Sequence, residues 1–356
     1  MSPTLRRLPL LMAGALSLLA GMAAGEGRMG WPAAGPDLAL VHGPLMVCGF
    51  FGTVIGLERA VALGRPWGWA APAATALGGL LLVLGHAQAG ALALTAGSLA
   101  FLAMALAVIR RQSEAFTAVL GLGAAAWVAG NLAWLAGMTI GAVVPLWAAF
   151  LVLTIAGERL ELSRFLPPWR WRSFTLVPIV VLLATGLASW LAFGLGLLAL
   201  VAWSLRNDVV RRTIRQPGLT RYVAVCLLSG YAWLAVAGVA ALGLAPGEAA
   251  GFGYDVALHA LFVGFVFAMV FGHAPVILPA VLKVQVPFRL YFYGPLALLH
   301  LSLAARLAGD LLEDATLRQW GGLANAVAIV VFLVTMAGTV IFCAPRPSTS
   351  SASPAR

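Results

Sequence analysis

Residues Tyr254–Lys283 read YDVALHALFVGFVFAMVFGHAPVILPAVLK. The run is apolar and longer than the roughly 20 residues that a helix needs to cross a bilayer. It nevertheless carries two histidines, His259 and His273. At about 100° per residue, their spacing falls about 40° short of whole helical turns, which puts both on nearly one face, about 21 Å apart along the axis. Imidazole inside a membrane is costly and marks a ligand, a proton path or a polar cavity. The plainer alternative is a hydrogen bond to a neighbouring helix.

The surrounding chain has the same character. It has 356 residues, 62% of them hydrophobic and only 10% charged, with a mean hydropathy of +0.98. These values exclude an ordinary soluble domain and point to a polytopic all-α membrane protein embedded in a lipid bilayer. Apolar runs recur over 8–25, 38–57, 70–87, 91–109, 116–136, 141–157, 173–189, 190–205, 222–244, 256–280, 290–308 and 321–343. The expectation is therefore twelve transmembrane helices in a single bundle over 1–345, with a disordered cytoplasmic tail over 346–356. The N-terminal MSPTLRRLPLLMAGALSLLAGMAAGEG also has the form of a secretory signal. An uncleaved first helix is preferred here, because the repeat described below needs it. Cys48, Cys226 and Cys343 lie in apolar runs without CxxC spacing and read as small hydrophobes.

The net charge of +10 is a topology signal. If the N-terminus is cytoplasmic, 19 of the 22 basic residues fall on the inner side, leaving only Arg28, Arg306 and Arg318 outside. That is the positive-inside pattern of a multi-pass protein of the cell (inner) membrane with both termini cytoplasmic. It gives no reason to expect nucleic acid, and contact with anionic lipid would account for any remaining excess.

An internal repeat is also legible. Thr53–Arg65 reads TVIGLERAVALGR and Leu153–Arg164 reads LTIAGERLELSR. Each ends a span with Gly and then Glu-Arg, and the two lie four spans apart. Aligning His42 with His259 sets Gly56 against His273. The chain then reads as three units of four helices, about 1–110, 111–205 and 206–345, with spans two, six and ten equivalent.

Span two opens HGPLMVCGFFGTVIGLE from His42. His42 and His259 stand near the same end of parallel helices, and two neutral imidazoles facing each other form the axial pair of a low-spin haem. Gly49, Gly52 and Gly56 follow at helical spacings, leaving room for a flat cofactor or for a close helix neighbour. Arg306 is placed to pair with a haem propionate through its guanidinium fork, or else with Asp310 one turn along its own helix. Asp255 lies one turn before His259 and can orient an imidazole. His300 and His273 are further metal candidates. For His300 a packed polar group is the simpler reading, and His86 reads as solvated.

HGPLMVCGFF resembles the second helix of haem–copper oxidase subunit I, in which an HG-x-x-M run supplies one axial ligand of a low-spin haem and the tenth helix supplies the other. The resemblance implies twelve helices in a threefold pseudo-repeat, haem b, and His42 and His259 as ligands. The chain departs from that family at the copper site, because spans six and seven carry no histidine, so copper and oxygen reduction are not expected. His259-Ala-Leu-Phe-Val-Gly is also similar to the H-A-x-x-V-G spans of NnrS-like proteins. That likeness implies a haem protein of the nitric oxide or nitrosative stress response, or one in electron transfer with a redox partner or respiratory complex.

A second class of function stays open. Glu58, Arg59, Glu158, Arg159 and His273 all fall at the inner ends of the equivalent spans, and Pro275 and Pro279 remove backbone donors nearby. Helices broken at membrane depth line cavities, as in a proton-coupled secondary transporter. Capping ion pairs are the simpler reading of the same residues. No P-loop, dinucleotide fingerprint or hydrolytic triad is present.

Overall fold

The computed structural model describes residues 3–167, 169, 171–187, 189–245 and 249–342, with the backbone alone for residues 3–6 and 187. The 346–356 tail, Cys343, Arg170 and Glu248 lie outside the described residues. Among the described residues all regular structure is helical. The long elements are α1 (Pro3–Arg28), α2 (His42–Leu63), α3 (Ala70–Val83), α4 (Ala87–Arg111), α5 (Ala115–Leu135) and α6 (Ile140–Leu162). They continue as α7 (Phe174–Ala184), α8 (Trp190–Asn207), α9 (Leu219–Leu242), α10 (Phe252–Leu282), α11 (Leu290–Leu311) and α12 (Ala315–Phe342).

Each apolar run of the sequence is represented by one of these helices. Among the described residues, 10 are long and apolar enough to cross a membrane. The exceptions are α3, with 14 residues, and α7, which is shorter still. At 1.5 Å per residue, α3 spans about 21 Å of a hydrocarbon layer roughly 30 Å thick. The expected count of twelve crossings therefore depends on two helices that do not reach the length.

Local chemistry sets the ends. Gly64 closes α2 in the left-handed region, at φ 65°, and its N–H donates to the Ala60 carbonyl at 3.2 Å, which is the glycine C-cap arrangement. Ser189 caps α8 by accepting from the Ala192 N–H, so the short Ser189–Trp190 region does separate two helices. By contrast, α10 runs unbroken through Pro275 and Pro279 to Leu282, so the expected break at the prolines is not there.

α2, α6 and α10 form the centre. Of their apolar windows 61%, 72% and 61% is buried within the protein, against 33–56% for the other long helices. The three touch one another pairwise, and around them α4 meets α5, α8 meets α9 and α12 meets α1. Two central helices share a rarer feature. Leu45–Phe51 of α2 and Ala260–Phe267 of α10 are π-helical. Such segments are uncommon and concentrate at functional sites. They meet face to face, with the Phe50 and Phe267 rings stacked at 6.1 Å and Phe51 tilted against Phe267 at 5.4 Å.

A buried polar cluster pins the π segment of α2. Trp127 Nε1 donates to Cys48 Sγ at 3.3 Å, and Cys48 in turn donates to Asn131 Oδ1 at 3.3 Å. Trp147 Nε1 reaches the same Asn131 oxygen at 2.9 Å, while Asn131 Nδ2 donates to the Leu94 carbonyl. This joins α2, α4, α5 and α6 with every polar atom of the set engaged, the condition for burying polar groups cheaply.

A candidate cofactor cavity

His259 immediately precedes the π segment of α10, and His42 lies one short turn, His42–Pro44, before the π segment of α2. Nδ1 of His42 lies 2.6 Å from the Gly21 carbonyl of α1 and donates to it. Nδ1 of His259 donates to the Asp255 carbonyl at 2.9 Å and lies 3.2 Å from Asp255 Oδ1. A ring that donates through Nδ1 carries its lone pair on Nε2, the arrangement of a metal-ligating histidine held by an outer partner. Among the described residues neither Nε2 has a hydrogen-bond partner. Both imidazoles line one cavity of about 440 Å³, within the size range of small-molecule and cofactor sites.

The cavity lies between α1, α2, α10, α11 and α12, with the start of α6 closing one side. Its walls are mostly apolar, including Met22, Met46, Val263 and Ile329, and the Phe51 and Phe267 pair lies at its base. Arg28, Arg306 and Arg318 all line it. These are the same three cations that stood apart from the inward distribution of charge in the sequence. Arg306 grips Asp255, with Nη2 2.9 Å and Nε 3.3 Å from Oδ2 and Nη2 3.2 Å from Oδ1. Its partner is thus Asp255 and not Asp310. Asp310 is buried and faces Arg318 Nε at 2.7 Å.

Close approach makes room for the first histidine. A Cβ on Gly25 would stand 2.9 Å from His42 Cε1 and 3.0 Å from Nδ1. The imidazole therefore lies close against the backbone of α1, and only glycine leaves that space. The other glycines of α2 serve a different purpose. A Cβ on Gly49 would meet Ser17, on Gly52 Trp127 at 2.5 Å, and on Gly56 Pro72. They let α1, α3 and α5 pack against α2 and provide no shelf for a cofactor.

The weaker candidates are engaged elsewhere. His273 donates from Nδ1 to the Met269 carbonyl at 2.6 Å and accepts at Nε2 from Arg159 Nη2 at 2.8 Å. His300 accepts at Nδ1 from Trp233 Nε1 at 2.9 Å, and its Nε2 lies 2.9 Å from Ser229 Oγ. Both nitrogens of each ring are occupied, and neither ring lines the cavity. The shared helix face expected for His259 and His273 rests on an α-helical count, and a π segment lies between the two residues. The π segment between them turns less per residue than an α-helix, so the α-helical count does not carry across it. At the opposite end of α2 and α6, Arg59 Nη2 meets Glu158 Oε1 at 2.5 Å. With Arg159–His273, this joins all three central helices.

The family model described as a domain of unknown function (DUF8744) matches residues 7–341. The chain belongs to this family. No curated protein and no solved structure matches it. The family description assigns no activity, and neither the oxidase likeness nor the NnrS likeness is part of it.

The residues around the cavity fit a haem. Two imidazole nitrogens without a hydrogen-bond partner line a common space with mostly apolar walls, glycine backbone leaves clearance at one of the rings, and three arginines line the same space, Arg306 and Arg318 already paired with carboxylates. Sequence reasoning placed His42, His259, Arg306 and Asp255 near this site. It missed Glu26, Arg28 and Arg318, although the charge distribution had already set both arginines apart.

Proposed function

We propose that this is a membrane-embedded b-type haem protein with His42 and His259 as axial ligands. The observation that carries the reading is that the two Nε2 atoms, each left free by an Nδ1 hydrogen bond, face one cavity of about 440 Å³. Bound there, haem would supply one-electron redox chemistry. His42 and His259 would hold the iron, Asp255 would orient His259, and Arg28, Arg306 and Arg318 would offset the propionate charge. With both axial positions filled by protein, electron transfer is favoured over gas activation. A role beside a redox partner, or in the response to nitric oxide as in NnrS-like proteins, follows from the same centre.

The architecture proposed with it is that of haem–copper oxidase subunit I without the copper site. Twelve crossings form three units of four around α2, α6 and α10. The mutual contact and deep burial of those three helices support this plan, as do the paired π segments. Positive-inside charge supports a cell (inner) membrane location with both termini cytoplasmic, and in that orientation the cavity would open toward the outer face.

The test is the visible spectrum of the detergent-purified protein with a pyridine haemochrome assay. A Soret band that disappears in His42→Ala and in His259→Ala is expected. A colourless wild-type protein, after expression with haem supplied, overturns the proposal.

A second reading, a proton-coupled transporter, draws on the Arg59–Glu158 and Arg159–His273 contacts that join the three central helices. On that reading Glu58→Gln abolishes uptake in a colourless, folded protein. The two imidazoles that line one cavity favour the haem reading, because the inner-layer groups are already engaged with one another.

A further inference from the structure

One cavity group is left without a role by the haem reading on which this inference rests. Glu26, in the last turn of α1, is 7% exposed, and its Oε2 is buried without a hydrogen-bond partner. It lines the cavity. Its backbone carbonyl accepts from the N–H groups of Met29 and Trp31, which fixes the helix end that presents it. Arg306 is the cation whose charge acts on Glu26, but its fork is already held by Asp255. Arg318 faces Asp310 and Asp255. Among the described residues Glu26 makes no ion pair. The charged and titratable groups that line the same cavity are Arg28 on its own helix, His42 on α2, Tyr254, Asp255 and His259 on α10, Arg306 on α11 and Arg318 on α12, and Asp310 stands behind Arg318.

We propose that Glu26 is the proton acceptor that balances charge when the cavity's redox centre gains an electron. A buried carboxylate without an ion pair of its own is destabilised by any added negative charge nearby, because Coulomb energies away from bulk water are several-fold larger than in it. The balance is simple. One electron from an external one-electron donor would be taken up by the bound redox centre, and one proton from the buffered bulk solvent would convert the Glu26 carboxylate to the carboxylic acid, so that the charge of the cavity is unchanged. Electron transfer through this protein would then move one proton into and out of the cavity with each turnover.

Spectroelectrochemical titration of the whole haem-loaded protein at a series of pH values tests this, with an electrode and mediators supplying electrons. In the wild type the midpoint potential should fall with rising pH across the titration of Glu26, approaching about 59 mV per unit, the one-electron equivalent of a tenfold change in proton activity. In Glu26→Gln the slope should vanish, while Asp310→Asn should keep it. A flat wild-type profile, a slope retained in Glu26→Gln, or a slope lost only in Asp310→Asn would overturn the assignment. If Glu26→Gln fails to hold haem, the reduced-minus-oxidised infrared spectrum of the wild type decides. Gain of a protonated carboxyl band on reduction supports the proposal, and its absence overturns it. A wild type without a Soret band fails earlier and for a different reason, by removing the haem reading itself.

Discussion

Asp255 Oδ1 lies 3.2 Å from Nδ1 of His259, one helical turn further along α10, and the same carboxylate is gripped by Arg306 from α11. One charged group thus fixes the orientation of the imidazole and is itself held from a second helix. Such outer partners typically change metal affinity about 10–100-fold. Asp255→Asn should therefore weaken haem retention by about that factor, measured as the rate of haem transfer to an apoprotein acceptor. Unchanged retention would show that the backbone carbonyl alone orients His259.

Gly25 gives a steric test of the other ligand. Its added Cβ would press on the His42 ring at 2.9–3.0 Å, whereas a Cβ on Gly35 meets nothing within 4 Å. Gly25→Val should abolish or shift the Soret band of a protein that still inserts and folds, and Gly35→Ala should leave the spectrum unaltered. An intact spectrum in Gly25→Val would mean that His42 does not hold the cofactor.

His300 separates packing from ligation. Its removal leaves half-buried Trp233 Nε1 without its acceptor, while Ser229 Oγ keeps the Val225 and Cys226 carbonyls, so the cost is at most the roughly 1–3 kcal/mol of an unsatisfied buried group. His300→Ala should lower the thermal midpoint while keeping the full Soret intensity per protein. Loss of colour at unchanged stability would make His300 a ligand.

The inner layer predicts coupling across helices. Arg59 of α2 and Glu158 of α6 are in direct contact, so Arg59→Ala and Glu158→Ala should each destabilise the protein. The double variant should be less destabilised than the sum by roughly 0.5–3 kcal/mol, the range for residues in contact. Strict additivity in thermal or denaturant unfolding would remove this pair as a tie between the central helices.

Most of the helices were legible in the sequence because hydrophobic length is a local property, and every apolar run became a helix. The π segments were not. Nothing in HALFVGFVF or HGPLMVCGFF departs from an α-helical pattern, and the widened turns stand where Phe50, Phe51 and Phe267 pack between two central helices. The α-helical arithmetic that put His273 on the face of His259 runs through one of these segments, and His273 bonds to Arg159 of α6. Similarly, the spacing of Gly49, Gly52 and Gly56 shows that one side of α2 is shallow. Only their neighbours show that the shallow side receives Ser17, Trp127 and Pro72.

The sequence by itself determined a helical membrane protein, the course of its apolar runs and the presence of imidazoles inside them, since these depend on hydrophobicity over one helix length. Tertiary structure decided which imidazoles share a space, that three scattered arginines line it, and which carboxylates pair with Arg306 and Arg318. Those relations join residues that lie tens to hundreds of positions apart. The packing of α1, α2, α10, α11 and α12 brings them together, and no local periodicity encodes that packing.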